Sequence, residues 1–251
     1  MPLHETDAFV LRTFTIKEAD KVCVFFTREA GKLRGVAHGA RKLKSRFGAS
    51  LEPFTEVVIK YHQKEGRELV SISSCDIVRS HFNRAAQDVE TASAFSYMAE
   101  LLTEFLPDHD PNEKLYRLVG AVLEAIEEGN ELSQMLRYFE VWLLRLAGFF
   151  PDITRCSLFG EAIGANVPVF LTAEGAPRCE NCSGGRGTAV DSVLSSMILD
   201  SLSLHPRDFA RRPLPPQRVA QLGEINYQII RHALERDLRS RGLLKQIGNA
   251  L

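Results

Sequence analysis

The hydrophobic period of this chain changes once, near residue 80, and that switch restricts the fold more than any other feature. Upstream, residues 7–14 alternate, with Phe9, Leu11 and Thr13 assigned to one face. Residues 21–27 are a β-branched and aromatic run. Residues 33–38 pair with it across a turn at 28–31, where Gly31 supplies the positive φ. Residues 55–63 and 68–72 predict a second hairpin, turning at 64–67. Five short strands in about 75 residues predict a small closed barrel, and the five-stranded OB-fold is the commonest barrel of that size.

Downstream, apolar residues recur at steps of three and four, which marks helices. Val89, Ala92, Phe95, Met98, Leu102 and Phe105 define one helix over 84–106. Asp110 is read as the N-cap of the next, with Pro111 at its first position and Glu113 at its third. Leu115, Leu118, Val119, Val122 and Ile126 continue it to Gly129. A third runs from Glu131 through Met135, Leu136, Phe139, Leu143 and Leu146 to Gly148. Residues 152–187 are rich in Gly, Pro and Cys, and 167–171 are read as their only regular piece. Helical spacing returns at Val193, Leu194, Met197 and Ile198. A stiff proline-rich connector then leads from Pro206 to a last amphipathic helix, from about Gln217. Its buried face is read as Val219, Leu222, Ile225, Ile229, Ala233 and Leu234. The fold class is α+β: an N-terminal five-stranded OB-fold barrel (1–80), then an α-helical bundle (81–251) with a small cysteine-containing knuckle inserted at about 152–187.

The net charge of −1 conceals an uneven distribution. Between Glu29 and Glu52 there is no acid, while Lys32, Arg34, Arg41, Lys42, Lys44 and Arg46 supply positive charge. Most of that density falls between the third strand and the second hairpin, on a surface loop or short helix. Cations set against phosphates release condensed counterions, so affinity for a polyanion grows with each contact. These six residues are therefore the candidate DNA-binding set. Phe14, Phe25, Phe26, Phe47 and Tyr61 could stack on unpaired bases, although core packing is the better expectation for each. Between Asp88 and Glu131 the balance reverses, with eleven Asp or Glu against Lys114 and Arg117. That region would repel DNA and reads as scaffold or partner surface.

Of five cysteines, Cys23 and Cys75 sit alone in strand-like runs, which argues against a disulfide framework. Cys179 and Cys182 form a C-x2-C pair, and Cys156 lies upstream. A zinc ribbon needs two such pairs, because each tight turn offers two thiolates to a tetrahedron. Here Phe159 stands where the fourth thiolate belongs. Cys156, Cys179 and Cys182 remain candidate ligands for a possible structural zinc, with Glu161 or a distant His as a conceivable fourth. Alternatively the knuckle is metal-free and Phe159 fills the space.

No P-loop, dinucleotide-binding glycine pattern or G-x-S-x-G motif is present, and the seven His are scattered, so an enzyme is not expected. No stretch reads as a signal peptide or approaches transmembrane length, and the expected location is the cytoplasm.

The order of the motifs carries a resemblance. A strand Thr6-Asp-Ala-Phe-Val-Leu11 precedes a turn from Thr27 to Leu33 (TREAGKL). Then come Val36 to Lys42 (VAHGARK), a strand entry at Leu51 to Phe54 (LEPF), and Arg137 to Gly148 (RYFEVWLLRLAG), which leads into the cysteine knuckle. Over essentially the whole chain this resembles the RecO family of DNA repair and recombination mediators. The resemblance implies an OB-fold, a helical bundle and, in many members, a four-cysteine zinc site, which maps to Cys156, Phe159, Cys179 and Cys182. It implies binding to single- and double-stranded DNA and annealing of complementary strands. It implies work with RecR and single-stranded-DNA-binding protein to load RecA, and a place at the nucleoid. The family's basic stretch maps to 31–44. An alternative kept open is a protein-interaction adaptor whose barrel binds a protein rather than DNA.

Overall fold

The computed structural model describes residues 2–16, 18–64, 66–164 and 166–242. These form two compact units divided at Gly120, and residues 240–242 belong with the first.

In the first unit, β1 (Leu3–Ile16), β2 (Asp20–Thr27), β3 (Gly31–Ala37), β4 (Thr55–His62) and β5 (Val70–Ser80) close into a barrel of order β1-β2-β3-β5-β4. All neighbours are antiparallel except β3 and β5, which meet in parallel at Gly35–Val70 and Val36–Ser71. Alternation drives closure: Val57, Ile59 and Tyr61 of β4 point inward while Glu56, Val58 and Lys60 do not. Ala8, Val10, Cys23, Phe25, Leu33, Val70 and Ile72 complete the interior, and Phe47 and Leu51 cap one end. This is the OB arrangement expected from the strand count.

The turn between β2 and β3 is tied by Thr27, whose hydroxyl donates to Gly31 O at 2.8 Å and accepts from the Ala30 N–H at 3.0 Å. Gly31 has φ +65°, and a Cβ there would lie 2.3 Å from the backbone oxygen of Asp110. Only glycine satisfies both conditions. This close approach also corrects the cap assigned to Asp110. With its backbone pressed on Gly31, Asp110 stands outside the helix, and Asn112 does the capping by accepting from the Leu115 N–H at 3.0 Å. The helix is α3 (Glu113–Glu127).

The helix expected over 84–106 is interrupted. α1 (Phe82–Gln87) ends at Asp88, whose extended backbone (φ −140°, ψ 120°) starts α2 (Val89–Phe105). The Asp88 carboxylate accepts from the Glu90 and Thr91 N–H groups, so this one residue both stops α1 and caps α2. Buried Glu100 of α2 accepts from the backbone N–H of Ser240 at 2.8 Å, which caps the helical residues 239–242.

The second unit centres on α4 (Leu132–Leu146), which packs against α6 (Ser192–Ser203), α7 (Pro206–Ala210) and α8 (Pro216–Leu234). The connector read as merely stiff thus contains a helix, with Pro206 at its first position. Three polar side chains on one face of α4 bind carbonyls at the ends of the α6–α7 segment. Gln134 Nε2 donates to Phe209 O, Tyr138 to Leu204 O at 2.9 Å, and Trp142 Nε1 to Ser201 O at 2.7 Å. Toward α8, Arg137 (8% exposed) pairs with Glu140 (1%) at 3.0 Å, and Asn226 donates to the other carboxylate oxygen at 3.0 Å. The knuckle is more regular than its sequence suggests. β6 (Val169–Leu171) is flanked by β7 (Pro177–Arg178) and β8 (Thr188–Val190), with α5 (Glu180–Ser183) between the last two. Strands of two or three residues leave no readable period. No described helix is long and apolar enough to cross a membrane.

Candidate nucleic-acid interface and thiol cluster

The outer face of β1–β3 is divided by what covers it. At one end Phe9, Phe26 and Lys32 are paired across the three strands. The Tyr116 ring covers them, at 4.8 Å from Phe9 and 5.6 Å from Phe26. Lys32 is only 7% exposed; its Nζ donates to Thr103 O at 2.7 Å and sits 3.3 Å from Asp108 Oδ1. Its own carbonyl accepts from the His109 N–H. The structure therefore removes Lys32 from the DNA-binding candidates: its charge is spent within the first unit, joining β3 to the segment after α2.

Farther along, the same face is exposed at its margins, around a buried Val24. Arg12, Val24 and Arg34 form one row, and Phe14, Val22 and Val36 the next. Arg34 is exposed and Phe14 is 52% exposed. A bulge in β1 between Val10 and Arg12 creates this surface. Upstream, Ala8 and Val10 point into the barrel; unbroken alternation would send Arg12 and Phe14 inward too. One extra residue reverses the parity, putting Thr13 opposite inward-facing Cys23 and turning Arg12 and Phe14 outward. The expected grouping of Phe9, Leu11 and Thr13 on one face fails for this reason, and Arg12 escaped notice. Of the other aromatics weighed for stacking, Phe25, Phe26, Phe47 and Tyr61 are all buried.

Beside this face, residues 38–47 form successive turns fastened to the β1–β2 connection. Asp20 accepts from the Gly39 N–H at 2.8 Å, and its other oxygen lies 3.0 Å from His38 Nδ1. Arg41 donates through its backbone N–H to Ala19 O and through Nη1 to Glu18 O, each at 3.0 Å. Arg41, Lys42 and Lys44 are exposed around Leu43, which is fully exposed. Arg46 is exposed, with its guanidinium 5.0 Å from the Phe47 ring centre. Five of the six sequence candidates thus lie at the surface of one small unit.

In the second unit, Cys156, Cys179 and Cys182 bring their Sγ atoms within 4.8 Å of one another. Two similar turns achieve this. The Gly160 N–H donates to Cys156 O at 2.8 Å with Gly160 at φ +71°, and the Cys182 and Ser183 N–H groups donate to Cys179 O. Backbone N–H groups of Cys179, then Leu158, hold the Cys156 thiol down to about 6, while hydrogen bonding with Cys179 and then burial push Cys182 up to about 12. Burial pushes Cys23 up to about 12 and Cys75 up to about 11, which leaves the two barrel thiols inert. The three clustered sulfurs suit zinc, whose bonds to thiolate are ~2.3 Å. Among the described residues, no His, Asp or Glu, Glu161 included, joins this cluster. Phe159 does not fill the space either, because it is 69% exposed.

These features define an OB-barrel protein with a cationic outer face, joined to a helical unit that carries a thiol knuckle. The family models for the N and C termini of recombination protein O match residues 1–81 and 86–242. The DNA repair protein RecO of Koribacter versatilis is 37% identical over 237 residues, covering 94% of this chain and 96% of its own. That of Myxococcus xanthus is 34% identical over 248 residues, covering 99% of each. That of Anaeromyxobacter sp. (strain K) is 32% identical over 246, covering 96% of each. The chain belongs to the RecO family of DNA repair proteins.

Proposed function

We propose that this protein is a non-enzymatic recombination mediator that binds single- and double-stranded DNA through its barrel, residues 1–80, and anneals complementary strands. The observation that carries this reading is the outward placement of Arg12, Arg34 and Phe14 on two adjacent rows of β1–β3, beside the exposed cations Arg41, Lys42, Lys44 and Arg46. The arginines and lysines supply sequence-independent phosphate contacts, and the exposed Phe14 ring offers a platform for an unpaired base. Annealing needs two phosphate backbones neutralised and no bond made or broken. In the cell the protein acts in the cytoplasm at the nucleoid, with RecR, helping RecA onto strands covered by single-stranded-DNA-binding protein. The knuckle holds a structural zinc through Cys156, Cys179 and Cys182.

Fluorescence anisotropy of a labelled single-stranded oligonucleotide, across a salt series, tests the reading. Wild type binds with a steep salt slope, and reversing Arg41, Lys42 and Lys44 to Glu flattens that slope by at least ~2. Absence of binding at low salt overturns it in favour of a barrel that docks a protein partner.

A further inference from the structure

We infer that the metal in the knuckle has a fourth coordination position open to solvent, able to take a small external thiolate. The inference rests on the zinc reading above and adds a binding site to it. Structural zinc sites are closed by four protein ligands, whereas sites with three protein ligands keep a position for water or another ligand.

Three protein ligands rather than four follow from the described residues around the site. The first turn, Cys156 to Gly160, closes by the Gly160 N–H on Cys156 O, as the Ser183 N–H closes on Cys179 O in the turn that holds Cys179 and Cys182. Its last side chain before the glycine is nevertheless Phe159, which is 69% exposed and so leaves the fourth position unfilled. No described imidazole or carboxylate stands with the three sulfurs. Leu158, 51% exposed, and Phe159 together give the site an apolar lip. Such a lip favours a thiol carrying a short hydrocarbon over a purely hydrophilic ligand.

The test uses the full chain, stripped of metal and kept reduced with a phosphine, then titrated with Co(II). Wild type takes up one Co(II) per chain, and its visible bands shift when 2-mercaptoethanol is added. Phe159→Cys keeps the stoichiometry, gains thiolate-to-metal charge-transfer intensity and loses the response to added thiol. It also binds zinc more tightly, by on the order of tenfold or more. Far-UV circular dichroism checks that both proteins are folded. Stoichiometric Co(II) in wild type with bands indifferent to thiol, and matching those of Phe159→Cys, overturns the open position while the zinc reading stands. No metal uptake by folded wild type overturns both.

Discussion

The guanidinium of Arg137 lies across the α-carbon of Gly223: a Cβ there would sit 1.6 Å from Nη1. Arg137 in turn holds Glu140 on the same helix, and Glu140 also accepts from Asn226 of α8, so this α4 ion pair keeps its geometry because residue 223 has no side chain. Gly223→Ala displaces the guanidinium and breaks its pairing with the buried Glu140. The expected cost is about 3 kcal/mol or more, well beyond the helix-propensity gain of alanine. Urea unfolding measures it, followed by fluorescence of Trp142, the only tryptophan. A loss below about 1 kcal/mol would show that the pair contributes little net stability.

Lys32 and Lys42 are ten residues apart in the same basic stretch but have opposite expected effects. Lys32→Met leaves DNA affinity and its salt slope unchanged and lowers the unfolding midpoint, because Thr103 O and Asp108 lose their partner. Lys42→Ala leaves the midpoint unchanged and reduces the salt slope by roughly one contact, ~0.7 for single strands. Anisotropy and urea melts on the two variants separate these effects, and a reversed pattern would contradict the assignment.

Phe14 is the exposed ring among the aromatics of the open face. Phe14→Ala weakens single-strand binding by about 1–3 kcal/mol, since a stacked base loses its platform. Duplex binding, where bases are already stacked, stays within a factor of two or so, about 0.4 kcal/mol. Equal losses on both substrates would remove stacking from the mechanism.

Arg28 binds Glu113 through two hydrogen bonds, at 2.9 and 2.7 Å, and holds its carboxyl below the ordinary 4.5. A carboxylate whose folded-state value is lowered adds stability above its unfolded value and loses it as pH falls through the folded one. Glu113→Gln is therefore less stable than wild type at pH 7, and the gap closes as pH drops below about 4. Both groups are exposed, so the gap is small, and paired melts at pH 7 and pH 3 read it out. A gap that widens in acid would reverse the sign.

The sequence made the architecture legible where a period repeats often enough to be counted. The five strands, α4 and α8 all show such repeats, and so does the change from barrel to helices. It was misleading where one residue serves two structural purposes. Asp88 ends one helix and caps another; Asp110 carries every mark of a cap while its backbone packs on Gly31. At the candidate interface, composition alone exposed five of the six cations, because the loop has no acid to pair with them. Lys32 looked identical in sequence, since Asp108 reaches it from a distance of 76 positions along the chain. Arg12 was hidden by the bulge, which reverses parity without altering residue type. The cysteine spacing pointed to a missing ligand, but only the exposure of Phe159 showed that its ring does not take the ligand's place.

The barrel's seams are unequal. Four run along antiparallel strands, while β3 and β5 meet at only Gly35–Val70 and Val36–Ser71. A cylinder joined so briefly along one line behaves as a curled sheet with a clasp. Amides at the clasp are expected to exchange with solvent through local opening, at a smaller free-energy cost than those of β1 and β2. The clasp begins where β3 leads into the cationic turns. Opening it would leave β3 held by β2 alone, from Lys21–Ala37 to Thr27–Gly31, with the cationic turns still anchored at the end of that pair.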